Sequence, residues 1–267
     1  MSLIQAILLS IIEGLTEFLP ISSTGHMIIA SSGMGIATQE FTKTFTVAIQ
    51  LGAILSVVAL YWRKFINLKD YRFYLKLAIA VVPALIFGKL LDDFIDEKLG
   101  NPVFIACSLL GGGIILLFVD KWFKHPQITE EKNIGIGKAF AIGCWQVLAI
   151  LAPGMSRSAS TIIGGMQQKL TRELAAEFSF FLAVPTMLAA TGYKLFKHIH
   201  EQGMFNSEQL KLLIIGNLIA FLVAIVAIKV FIGFVKKYGF RIWGVYRIIV
   251  GAAVLLIHFF VFKLTVI

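Results

Sequence analysis

Two stretches set reactive side chains into otherwise apolar sequence: EGLTEFLPISSTGH at residues 13–26 and PGMSRSAST at residues 153–161. Glu13 and Glu17 are four residues apart, so on a helix their carboxylates share one face. An ionised acid in hydrocarbon is costly enough to require a cavity, a cation or a partner, and Arg157 is the natural counterion. Ser22, Ser23, Thr24 and Gly25 in the first stretch, and Ser156, Ser158 and Thr161 in the second, offer hydroxyls and helix-start amides, which suit an anion such as phosphate. One serine-rich helix start is ordinarily only a cap; two that face each other, with Arg157 and His26 between them, suit a phosphate group. His26 lies three residues after Ser23, within reach of its hydroxyl, the spacing of a nucleophile and its base. Together these groups could attack phosphorus, handle a proton and hold the equatorial oxygens. They could equally bind a translocated anion or proton, so the residues alone leave a phosphatase and a transporter or flippase level.

The elements that must position these groups are membrane helices. Of 267 residues, 58% are hydrophobic and 15% charged, and the mean hydropathy is +0.86, a composition that places the chain among membrane lipids rather than in water. The net charge of +9 comes from lysines and arginines scattered between apolar spans. That pattern argues for membrane orientation and against a nucleic-acid partner. Met1 to Ile12 lacks the basic start of a signal peptide, so the fold is expected to begin there. Cys107 and Cys144 lie in apolar segments without metal-ligand spacing and are expected as small core hydrophobes. His258 is expected as hydrogen-bonded packing, and His125, His198 and His200 in loops.

Crossing hydrocarbon takes about 20 apolar residues. Six stretches qualify: Phe45 to Tyr61, Leu75 to Leu91, Val103 to Val119, Leu174 to Tyr193, Leu212 to Phe234 and Trp243 to Phe262. Residues 3–31 and 139–165 are broken by Pro20 and Pro153 and predict hairpins that dip into the membrane and return. An offset of 133 positions aligns Ala6 with Ala139, Glu13 with Gln146, Leu15 with Leu148, Pro20 with Pro153, Ser23 with Ser156 and Phe45 with Phe178, which suggests a duplication. The expected fold is therefore an all-α integral membrane protein of one domain, residues 1–267. It comprises repeats of about 1–125 and 134–267, related by inverted topology, with six transmembrane helices and two re-entrant hairpins meeting near the midplane. Basic residues follow spans one, three and five, whereas Asp92, Asp93, Asp96 and Glu97 follow span two; Lys194, Lys197 and Lys211 after span four dilute the bias. By the positive-inside rule the termini and first hairpin belong outside. No oligomeric state follows from the sequence.

The two motifs, their spacing and the segment EFSFFLAVP at residues 177–185 closely resemble the bacitracin-resistance family of undecaprenyl-pyrophosphate phosphatases over nearly the whole chain. The resemblance implies a bacterial inner-membrane enzyme that removes the terminal phosphate of undecaprenyl pyrophosphate, a polyprenyl pyrophosphate lipid. It would thereby recycle the carrier for peptidoglycan synthesis and confer bacitracin resistance. It maps the family's acidic motif onto Glu13 and Glu17, its hydroxyl and histidine motif onto Ser22, Ser23, Thr24, Gly25 and His26, and its arginine motif onto Ser156, Arg157 and Ser158. It also implies a divalent cation, Mg²⁺ or Ca²⁺, which Glu13 and Glu17 could hold through hard oxygen ligands. Lipid phosphate phosphatases share a Gly-His and a Ser-Arg element, but their second histidine has no counterpart here. The expected mechanism has Ser23 or His26 attacking the terminal phosphorus, with Ser23 favoured and His26 as its base. Arg157 holds the phosphate oxygens, and Glu17 positions or deprotonates the attacking group. The cavity is expected to open to the outer face, with the polyprenyl tail lying in lipid.

Overall fold

The computed structural model describes residues 1–99 and 101–264. Residues 265–267, the end of the second expected repeat, lie outside the described residues, as do the side chains of Asp93 and Asp96. Among the described residues the only β-pairing is an isolated bridge between Ile128 and Leu170. Everything else regular is helical. Two broken helices frame the polar residues: α1 (Leu3–Thr16) and α2 (Ser23–Gly33) flank Pro20, and α9 (Ile136–Leu151) and α10 (Arg157–Gln167) flank Pro153.

Six helical segments are long and apolar enough to cross a membrane. They are Glu40–Leu60, formed by α3 (Glu40–Ala48) and α4 (Gln50–Leu60); α6 (Tyr71–Leu90); α8 (Pro102–Trp122); α11 (Arg172–Gln202); α12 (Ser207–Tyr238); and Arg241–Val261, formed by α13 (Arg241–Leu256) and a π-helical end. Short helices α5 (Trp62–Phe65) and α7 (Asp92–Leu99) join them. Polar caps set several boundaries. Asn101 accepts from Val103 N and Phe104 N at the start of α8, Thr171 accepts from Leu174 N, and Asn206 forms a reciprocal cap with Gln209. Each satisfies amides that a helix start leaves unpaired.

The helices pack in matched pairs. α1 lies on α12 and α9 on α6; α4 packs on α12 and α11 on α6; α8 pairs with α13, and α4 with α11. Aromatic residues fill the centre. Phe181 sits edge-on to Tyr61, Phe65 and Phe73 with ring centroids 4.9, 6.1 and 5.5 Å away, and Phe180 meets Phe18 edge-on at 5.2 Å. Such geometry sets the positive ring edge against a negative face. The EFSFF segment is thus the packing axis beneath the polar site.

Three local expectations change. Cys107 and Cys144 face outward, because in a membrane protein the outer surface is as apolar as the core and hydropathy cannot separate them. His198 and His200 lie on α11, which extends to Gln202, and His198 Nδ1 is 3.0 Å from Thr44 Oγ1. The acidic segment after α6 forms helix α7 rather than loop. His258 does pack as expected, its Nδ1 accepting from Leu264 N at 3.1 Å.

Candidate active site

α1 ends at Thr16 because Pro20 has no N–H to give the Thr16 carbonyl, and Pro153 likewise leaves Ala149 without a donor near the end of α9. The chain turns and restarts at Ser23 and at Arg157. Both restarts use the same device. Ser22 has φ +68° and its Oγ accepts from Gly25 N at 3.4 Å; Ser156 has φ +72° and its Oγ accepts from Ala159 N at 3.3 Å. Positive φ costs a residue with a Cβ about 1–3 kcal/mol, so the two helix starts are strained in the same way. Two residues lie between Pro153 and Ser156 but only one between Pro20 and Ser22. The caps therefore equate Ser22, not Ser23, with Ser156. Ser23 and Arg157 each become the first residue of their helices.

Glu17, 8% exposed, joins these two positions. Its Oε2 accepts the Ser23 hydroxyl at 2.7 Å and its Oε1 accepts Arg157 Nη2 at 3.2 Å. Arg157 Nη1 donates to the Ser179 carbonyl at 3.0 Å, while its buried Nε has no hydrogen-bond partner among the described residues. A guanidinium carries five N–H donors, so Arg157 keeps donors for an anion. Glu13 is 1% exposed, one helical turn from Glu17, and its Oε1 is buried without a hydrogen-bond partner among the described residues. Among the described residues no three His, Cys, Asp or Glu side chains gather as a metal site. Two carboxylates with an unpaired oxygen nevertheless suit a hard cation whose remaining ligands are water and phosphate oxygens, the usual mode for Mg²⁺.

The expected Ser23–His26 pair does not form. A hydroxyl has one proton, and that of Ser23 is given to Glu17. The His26 ring folds back so that Nδ1 lies 2.8 Å from the Ser22 carbonyl, which can only accept; Nδ1 is therefore the protonated nitrogen. Nε2 is 2.8 Å from Tyr246 Oη, and the two rings are parallel to within 4°.

A cavity of about 710 Å³ is lined by Glu17, Ser22, Ser23, Thr24, Ser156 and Arg157, with apolar walls from α6, α9 and α11. A second cavity of about 430 Å³ shares Ser23, Thr24 and Gln50 with it and reaches Glu13 and Lys43. His26 lines neither. Three residues expected to bind phosphate are turned into protein instead. Gly25 gives its amide to the Ser22 cap, and a Cβ there would press on Leu109. Ser158 Oγ donates to the Leu19 carbonyl at 2.8 Å and so ties the second hairpin to the first. Thr161 is fully buried, its hydroxyl within 2.9 Å of the Arg157 carbonyl and 2.6 Å of Ser179 Oγ. These hydroxyls brace the site because a buried hydroxyl must find a partner.

Arg247 is the largest feature of the site that sequence reasoning missed. It is fully buried and hydrogen-bonds five carbonyls: Pro20, Gly154 and Met155 from the two turns, and Ser108 and Leu109 from α8. Room for its guanidinium comes from Gly112, where a Cβ would collide with it. Gly154 is needed for its φ of +99° and its close approach to the Ile105 carbonyl. An arginine inside the stretch Trp243 to Phe262 was the available signal, since an ionisable residue in a span is functional by default. Gln146 and Ser179 carried no comparable signal.

The model of the family "Bacitracin resistance protein BacA" matches residues 6–253. The chain is 56% identical to the undecaprenyl-diphosphatase of Flavobacterium johnsoniae and 57% identical to that of Flavobacterium psychrophilum, in each case over all of both chains. It is 45% identical to the undecaprenyl-diphosphatase of Aquifex aeolicus over 92% of this chain and 95% of that one. The chain belongs to the bacitracin resistance protein BacA family.

Proposed function

We propose that this chain hydrolyses undecaprenyl diphosphate to undecaprenyl phosphate and inorganic phosphate, recycling the lipid carrier of peptidoglycan synthesis and conferring bacitracin resistance. The observation that carries the chemistry is Glu17, which takes the Ser23 proton on one oxygen and Arg157 on the other beside a large cavity. Ser23 Oγ attacks the terminal phosphorus as its proton passes to Glu17 Oε2, and the bridging P–O bond breaks to release the lipid monophosphate. Water then attacks the phosphoserine, the P–O bond to Ser23 breaks as Glu17 returns its proton to Ser23 Oγ, and inorganic phosphate leaves carrying both protons of the water. Arg157, through N–H groups not committed to protein, stabilises the charge on the equatorial oxygens. His26, held by Ser22 and Tyr246, shapes the start of α2 rather than serving as the base. Glu13 with Glu17 would hold a divalent cation, Mg²⁺ or Ca²⁺, which when bound supplies charge neutralisation at the phosphate oxygens.

The architecture behind this reading is an inverted repeat of about 1–125 and 134–267 with two re-entrant hairpins. The matched packing of α1 on α12 and α9 on α6 supports it, as do the two strained serine caps. The charge distribution of the connecting segments supports an orientation with the first hairpin and the cavity mouth on the outer face of the bacterial inner membrane.

Rapid quenching of the purified protein with lipid diphosphate labelled in its terminal phosphate tests the chemistry. Label is expected on Ser23, and Ser23→Ala should lower phosphate release at least about 10³-fold. Label on His26, or full turnover by Ser23→Ala, overturns the serine mechanism.

A further inference from the structure

Gln146 is a buried amide that the mechanism above does not use. It lies on α9, is 2% exposed, and neither its Oε1 nor its Nε2 has a hydrogen-bond partner among the described residues. Its neighbour Trp145, by contrast, is satisfied by Gln167 at 2.7 Å. A buried amide unpaired at both ends is rare in a native structure and costly to keep. An apolar side chain of that size would fill the same space without that cost, so a ligand is the natural account of it. Gln146 lines the 710 Å³ cavity together with Glu17, Ser23 and Arg157.

Its position selects the part of the substrate it meets. Gln146 stands five residues before the end of α9, about 7–8 Å of helix rise back from the turn that leads to Arg157. Its companions on that face, Ala149 and Ile150, are apolar and line the same cavity. Ser23 and Arg157 hold the phosphate that is removed, so a group set back along the apolar wall meets the phosphate that stays on the lipid. We infer that Gln146 recognises this second, lipid-proximal phosphate and makes the site select a lipid diphosphate. The amide donates from Nε2 to a non-bridging oxygen. Being neutral, it adds no charge that would retain the monophosphate product. The inference rests on the phosphatase reading above.

The test uses the purified full-length chain and its Gln146→Leu and Gln146→Glu variants in lipid nanodiscs. Phosphate release from undecaprenyl diphosphate is measured alone and in competition with undecaprenyl monophosphate or inorganic phosphate. For Gln146→Leu, KM and the inhibition constant of the lipid monophosphate should both rise about 10- to 100-fold, the worth of a hydrogen bond to a charged group. Inhibition by inorganic phosphate, which needs only the Ser23–Arg157 end, should stay the same, and the midpoint of thermal unfolding should not fall. Gln146→Glu should bind both lipids more weakly still. An unchanged KM, or equal weakening toward inorganic phosphate and the lipid monophosphate, overturns the inference. So does a lowered unfolding midpoint with unaltered kinetics, which would make Gln146 a packing residue. If the unsubstituted chain released no phosphate, the phosphatase reading itself would fall; release by the parent with identical kinetics in Gln146→Leu removes only the role of Gln146.

Discussion

Replacing Arg247 by methionine should damage catalysis far more than folding. The guanidinium takes the Pro20 carbonyl from one turn and the Gly154 and Met155 carbonyls from the other, at 3.2, 3.0 and 2.8 Å. These acceptors lie in the turns between helices, so losing their donor costs at least about 1 kcal/mol each, or about 3 kcal/mol for the three. Against this, methionine removes a fully buried cation whose desolvation costs several kcal/mol. The two terms nearly cancel in overall stability. They do not cancel in geometry, because one planar fork spans both turns and thereby fixes Ser23 relative to Arg157. A displacement of about 1 Å between such groups costs about 10²-fold in rate. Arg247→Met should therefore lower kcat/KM by about 10²-fold with little change in the unfolding midpoint. Arg247→Lys, which keeps the charge but not the fork, should recover only part of it. Phosphate release and thermal unfolding on the same preparations decide the matter. Wild-type kcat/KM in well-folded Arg247→Met would refute the claim that this guanidinium registers the two hairpins.

Arg157→Lys should fall by about 10²-fold or more in phosphate release, since a point charge cannot hold Glu17, the Ser179 carbonyl and a phosphate together. Tyr246→Phe deletes one neutral hydrogen bond to His26 and should cost only about 2- to 10-fold in kcat/KM; a loss as large as that of Glu17→Gln would restore His26 to the role of base. Lys76→Met removes the 2.8 Å partner of buried Glu131 and leaves it Lys64 at 3.3 Å, so it should destabilise the chain by about 1.5–3 kcal/mol, the worth of a hydrogen bond to a charged group, read as a lowered unfolding midpoint with intact activity in the folded fraction. With Cys107 and Cys144 replaced by serine, Thr38→Cys should react with a membrane-impermeant thiol reagent from the outer face and Lys124→Cys from the inner face. The reverse pattern would invert the topology.

Hydropathy revealed the six crossing helices because span length follows from membrane thickness, a constraint that acts on sequence directly. It also exposed Glu17, Ser23 and Arg157, since polar groups are conspicuous against an apolar background. What hydropathy cannot supply is partner choice. Ser23 and His26 are close enough to pair, yet the imidazole turns back to the Ser22 carbonyl and Tyr246, a residue 220 positions away in the chain. Ser158 and Thr161 look like phosphate ligands until the Leu19 carbonyl and Ser179 are seen to occupy them. Arg247 was legible as an anomaly, but its five carbonyl partners lie in three separated segments that only the fold assembles.

The one-residue difference between the turns explains why the site must lie between the two halves. After Pro20 the helix resumes at Ser23, and after Pro153 it resumes one residue later, at Arg157. The first positions of the two helices thus present a hydroxyl from one side and a cation from the other, and both reach the same carboxylate. Before the turns the asymmetry is again complementary: on the 133-position offset Glu13 and Glu17 correspond to Gln146 and Ile150. Had both hairpins kept both acids, four buried carboxylates would surround Arg157, and their field would repel a diphosphate. Had both first positions been arginine, no Ser23 hydroxyl would stand beside Glu17 to attack phosphorus. Either half alone therefore lacks a group the proposed reaction needs, and only the two together form a cavity that can both bind a polyanion and accept a proton beside it.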